Sequence, residues 1–174
     1  MTTQLVLTVI GDDRPGLVES LSRVIAANGG NWLESNMSHL AGKFAGILRV
    51  SVESMHADEL IRQLQQLSAD PSSLRITVEK AAAADAVRTR PLRLQLVGND
   101  RPGIIREISR ALAAQHVNVE ELETHCSSAP MSGELLFHAE AVLNVPAGLD
   151  LDALQSELER LADDLIVDVT LNED

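Results

Sequence analysis

The stretch GDDRPGLVESLSRVIAANGGN, residues 11–31, returns in close copy as GNDRPGIIREISRALAAQHVN from residue 98. A shift of 87 positions places Gly11 on Gly98, Asp13 on Asp100 and Arg14 on Arg101. At the same shift Pro15, Gly16, Ser22, Arg23, Ala26, Ala27, Asn31, Glu34, Gly46 and Leu48 meet identical residues. A repeat of this extent divides the chain into two similar units. Between them lies KAAAADAVRTRP, Ala-rich and ending in proline, which reads as an exposed linker at residues 81–90. The expected organisation is therefore a first domain at 1–80, the linker, and a second domain at 91–174.

Working outward from the repeated stretch, the hydrophobic period changes in one order in both copies. In the first, Leu5, Leu7 and Val9 alternate as a strand, and Leu17, Val18, Leu21, Val24 and Ile25 then recur at helical spacing. Around a turn at Gly42-Lys43 a hairpin follows, with Gly46, Leu48, Val50 and Val52 on one face. Leu60, Leu64 and Leu67 mark a second helix, and Leu74, Ile76 and Val78 a closing strand. The second copy repeats this with Leu92, Leu94 and Leu96; Ile104, Ile105, Ile108 and Leu112; Leu135, Phe137, Ala139 and Ala141; Leu151, Leu154, Leu158 and Leu161; and Leu165, Val167, Val169 and Leu171. One-sided alternation implies antiparallel sheets with helices on one face. The fold class is α+β, two tandem ferredoxin-like βαββαβ sandwiches. The open sheet faces and edge strands need cover, from the other half or from a second chain, so a homodimer is compatible with the pattern.

Composition narrows the function. Of 174 residues 45% are apolar but only 2% aromatic, and the formal net charge is −12. Such a surface repels phosphate backbones and anionic membranes and offers little for base stacking, which argues against direct nucleic-acid or membrane binding. Cys126 is the only cysteine, so no disulfide forms within the chain, in keeping with a cytoplasmic setting. The opening MTTQLVLTVIGDDRPG has no basic n-region and reads as a strand. No CxxC, HxxxH, HExxH or G-x-S-x-G spacing occurs, so the expectation is no catalytic residues, no metal and no cofactor. Adjacent residues on a strand face opposite ways, which keeps His125 and Cys126 from sharing a ligand, and His138 is expected in a structural or surface role.

The repeated loop is the candidate site. Pro15 and Pro102 stand where a first helical residue would, and Asp13 and Asp100 just upstream are placed to cap the first-turn amides. Gly16 and Gly103 leave the backbone unshielded. Helix-terminal N–H groups for an anion, beside a carboxylate for an ammonium, suit a free α-amino acid. Turn and cap chemistry alone also accounts for a single such loop. Asn31 and Asn118, at the start of the strand after the helix, are expected to add an amide next to the loop. Arg14 and Arg101 are expected chiefly to bridge nearby acids.

The two stretches resemble the first strand, loop and helix of ACT domains, small amino-acid-sensing regulatory modules. Two copies filling nearly the whole chain most resemble the glycine cleavage system transcriptional repressor family of bacteria. The resemblance implies a βαββαβ fold per half and ligand binding where the strand–helix loop meets a neighbouring domain. Carried onto this chain, the ligand contacts are Asp12, Asp13, Gly16, Leu17 and Asn31, with Asn99, Asp100, Gly103, Ile104 and Asn118. It further implies glycine as ligand and a non-enzymatic repressor. Because the charge disfavours DNA, repression is expected to act through a protein partner, a DNA-bound transcriptional activator. The alternative is a stand-alone ACT subunit that allosterically controls a metabolic enzyme, since fold does not choose the client.

Overall fold

A computed structural model describes residues 1–69, 74–81, 89–129 and 133–173. The chain separates into two compact units, Met1–Ala84 and Asp85–Asp174. The first unit runs β1 (Thr2–Asp12), α1 (Leu17–Ala27), β2 (Asn31–Leu40), β3 (Lys43–Glu53), α2 (Ala57–Ser68) and β4 (Arg75–Lys80). The second runs β5 (Thr89–Asn99), α3 (Ile104–Ala114), β6 (Asn118–Ser128), β7 (Leu135–Pro146), α4 (Leu151–Leu165) and β8 (Val167–Glu173). Each is βαββαβ, with strand orders β2-β3-β1-β4 and β6-β7-β5-β8, all pairs antiparallel. Most of the expected linker, residues 82–88, lies outside the described residues, and β5 already includes Thr89 and Arg90.

Period-2 patterning sends alternate strand residues to a helix-covered face. Leu5, Leu7 and Val9 of β1, Leu48, Val50 and Val52 of β3 and Ile76 of β4 share one core with Leu17, Leu21 and Ile25 of α1 and Leu60 and Leu64 of α2. The second unit builds its own core from Leu92, Leu94, Leu96, Ile108, Leu112, Leu143, Leu154 and Leu158, among others. Burial of aliphatic side chains, at about 25 cal/mol per Å² of apolar surface, is the principal force holding each sandwich. Among the described residues no polar or charged side chain is buried, and no helix is long and apolar enough to cross a membrane.

Helix ends are set by backbone chemistry. After α1, Gly29 takes φ +68° and the Gly30 N–H donates to the Ile25 carbonyl; after α3, His116 takes φ +56° and the Val117 N–H donates to the Leu112 carbonyl. The two turns are alike although Gly29-Gly30 became His116-Val117. Asp150 caps α4, its carboxylate accepting from the Asp152 and Ala153 N–H groups at 3.1 and 3.3 Å.

Register corrects the sequence alignment in one place. Leu48 pairs with Leu7, whereas Leu94, the counterpart of Leu7, pairs with Ala141. Gly46 and Leu48 therefore correspond to Ala139 and Ala141, not to Gly133 and Leu135. A longer second hairpin displaces β7 along the sequence, so the Gly46 and Leu48 identities at the uniform shift do not reflect shared positions. The closing strand is also shorter than its alternation predicts, because Leu165 ends α4 and only Val167 onward pairs with β5.

Candidate functional site

The loop after β1 opens with Asp12 on β1 and Asp13 just beyond it. Asp12 is ion-paired with Lys43 across the strand pair, and the Lys43 hydrogen bond, with its charge, holds the Asp12 carboxyl below the usual range. The Asp13 N–H donates to the Gly42 carbonyl at 2.9 Å, and its carboxylate lies 3.7 Å from His39 Nε2, an ion pair only while that histidine is protonated. The hairpin turn between β2 and β3 thus clamps the loop from one side. No sequence motif announced Lys43 or His39 as partners, since their placement follows from strand register.

Both helices begin one residue after the expected glycine, not at the proline. Gly16 and Gly103 are the N-cap residues, at φ +91° and +101°, and no side chain caps either helix. Asp13 and Asp100 therefore do not cap the first-turn amides as the spacing suggested. Pro15 and Pro102 lie in the turn ahead of the helix. A Cβ built on Gly16 or Gly103 meets nothing within 4 Å, so glycine is required there by the left-handed backbone and not by a close neighbour. The product is an open helix N-terminus that keeps its partial positive charge, with a carboxylate nearby.

Leu17 and Ile104 are core residues, 5% and 2% exposed, so their side chains are not presented at the loop surface. Asn31 and Asn118 are exposed, and each opens an edge strand. Neither sits beside the loop of its own unit. Asn31 pairs with Ser51 while Asp12 pairs with Lys43, which separates them by eight residues along β3, about 26 Å at roughly 3.3 Å per residue. Asn118, opposite Asn144, stands equally far from Asn99, opposite Leu136. The helix carries the chain across the full length of the sheet before the next strand begins, so closeness in sequence order misled.

The second loop is electrostatically barer. Asn99 replaces Asp12 and faces Leu136 where Lys43 faces Asp12. The Asp100 N–H donates to the Leu135 carbonyl at 2.8 Å, and its carboxylate has no ion-pair partner among the described residues. Arg101 donates from Nη2 to the Asp164 carbonyl in the last turn of α4, at 3.1 Å, so it ties loop to helix end through a backbone oxygen and not an acid. His125 and His138 lie directly opposite on β6 and β7 and stack at 4.6 Å between ring centroids, and Ser127 Oγ is 2.8 Å from His138 Nε2. Cys126 is exposed on the other face of β6. Among the described residues no group of three His, Cys, Asp or Glu side chains is placed to hold a metal ion.

Two open sandwiches, each with an uncapped helix N-terminus behind a Gly-x-Asp-Arg-Pro-Gly loop, define a class. Residues 3–79 match one ACT domain model and residues 93–163 another, and the chain belongs to the ACT domain family. Within it, the chain is 26% identical over 173 residues to the glycine cleavage system transcriptional repressor of Escherichia coli strain K12, covering 97% of this chain and 88% of that one. The corresponding repressor of Shigella flexneri matches to the same extent. Among solved structures, an unknown protein from Galdieria sulphuraria superimposes with a TM-score of 0.85 at 29% identity, over 100% of this chain and 99% of that one. A structure provisionally assigned as a glycine cleavage system transcriptional repressor gives a TM-score of 0.71 at 21% identity, over 100% and 99%, and shares the fold.

Proposed function

We propose that this protein is a non-enzymatic, cytoplasmic amino-acid sensor that represses glycine-cleavage genes through a protein partner. The observation that carries the reading is the doubled loop: twice, an uncapped helix N-terminus opens behind a left-handed glycine, with an acid beside it. A free amino acid presents a carboxylate for the N–H groups and an ammonium for the acid. The likeness to the named repressors along nearly the whole chain supports a regulatory role. Glycine is the favoured ligand because the loop backbones, not side chains, supply the contacts: the N–H groups of Gly16, Leu17, Gly103 and Ile104, with Asp12, Asp13, Asn99 and Asp100 alongside. Asn31 and Asn118 stand at the opposite end of the sheet from the loop of their own unit and do not join its contacts.

With a formal net charge of −12, the protein acts on transcription by holding a DNA-bound activator, not by reading DNA. Ligand alters that hold only if it favours one of two states of the protein.

The test is thermal unfolding with each common amino acid in turn. Ligand at about a hundredfold over its dissociation constant stabilises by about 2.7 kcal/mol, a melting shift of several degrees. A shift with glycine that is lost in Asp13→Asn or Asp100→Asn supports the sensor. No shift with any amino acid removes it. Capture of partners from lysate then separates the readings: a DNA-binding activator supports repression, and a metabolic enzyme places the protein as an allosteric subunit.

A further inference from the structure

We propose that the second unit has a separate binding cleft, between α3 and the edge strand β6, for a small uncharged apolar molecule with a flat ring. The cleft is open to solvent on one side, and its lining is almost wholly aliphatic. Leu96 and Ala141 form part of its floor, Ile105 and Leu112 one wall, and Val119 and Leu122 the other. Leu122, 52% exposed, stands at the mouth.

The first unit shows what chemistry fits there. Both edge strands break register at the same place, between Trp32 and Glu34 and between Val119 and Glu121, so Trp32 is the counterpart of Val119 and Ser35 of Leu122. Trp32 packs half-buried against the first core, and its indole N–H donates to Ser35 Oγ at 3.2 Å. The ring therefore lies along β2, over the span that Val119 and Leu122 flank in the second unit. On the floor, the buried Leu48 of the first unit gives way to Ala141. Two truncations, Trp to Val and Leu to Ala, thus coincide at one spot. Leu122 in place of Ser35 makes the wall more apolar and removes the partner of an indole N–H.

The lining also excludes charged occupants. Among the described residues that line it Ser109 alone is polar, and its hydroxyl donates to the Arg106 carbonyl at 3.2 Å. A zwitterion entering would lose hydration with no charge to meet it, so this cleft and the loop sites take different ligands. An apolar ring gains by displacing water from aliphatic walls.

Titration of the full-length protein with indole, and separately with benzene, tests this, read by the methyl resonances of Ile105, Leu112, Val119 and Leu122. Saturable shifts with either ring, and none with glycine, are expected. Val119→Trp should fill the cleft, weaken ring binding by about tenfold or more, and add a tryptophan emission characteristic of a shielded indole. Should that variant not fold, Ala141→Leu, which restores the side chain of the first unit, should weaken binding in the same way. Absence of saturable shifts with both rings overturns the proposal, as does undiminished binding in a folded filled variant or water-exposed emission from the new tryptophan.

Discussion

At Gly16 and Gly103 the demand on the side chain is purely conformational. The positive φ costs an L-residue about 1–2 kcal/mol, and there is space for a methyl group. Gly16→Ala should destabilise the first unit by about that amount, measured by denaturant unfolding, and weaken any loop ligand by moving the N–H groups. Charge is the other residue-scale lever. Hydrogen bonds from Arg62 and then Gln63 bring the Glu59 carboxyl down to about 2 from an ordinary 4.5. With the folded value depressed, its contribution is complete above pH 4.5 and disappears as pH falls through about 2. The pair is exposed, so its contribution to stability is small. Carboxylate NMR titration should place Glu59 near 2, and Arg62→Ala should return it towards 4.5. The loop acids were legible in the sequence because turn chemistry is local. Their partners were not, because Lys43 and His39 reach them only through strand pairing.

At the scale of elements, the order of strands and helices followed from the hydrophobic period, which switches from 2 to 3.6 within each copy. Boundaries were less legible. The proline read as the first helical residue, but a glycine at positive φ follows it as N-cap and the helix starts two residues after the proline. Gly46 shows how closely elements approach. It lies on β3 against the edge strand, and a Cβ there would come within 2.4 Å of Met37 Cγ and 2.6 Å of the Asn36 carbonyl oxygen. Because backbone cannot yield as a side chain can, Gly46→Ala should cost about 1–3 kcal/mol and loosen β2 from β3. Hydrogen exchange of the β2 amides, faster in the variant than in the parent, is the measurement. The displacement of Asn31 from the loop is an element-scale effect too, since α1 spans the length of the sheet that separates them.

For the whole molecule, separate cores predict separable folding. Each unit encloses its own cluster of buried aliphatic residues. A fragment of residues 1–84 should unfold cooperatively by circular dichroism, and Leu60→Ala within the full chain should lower the first unit's transition by about 2–5 kcal/mol. The second unit's transition should stay in place. A fragment without a cooperative transition would show that the first unit depends on the rest of the chain.

The repeat, the two sandwiches, the ACT resemblance and the acidic surface could all be read from residue order and composition. Periodicity, turn residues and net charge are properties of neighbours along the chain, and they survive without knowledge of what pairs with what. Tertiary structure alone settled three things: the second hairpin's true correspondence to the first, the distance between Asn31 and its loop, and the cleft left where Val119 and Ala141 replace Trp32 and Leu48. Each depends on register between strands far apart in sequence, and a longer hairpin is enough to displace the strand that follows it.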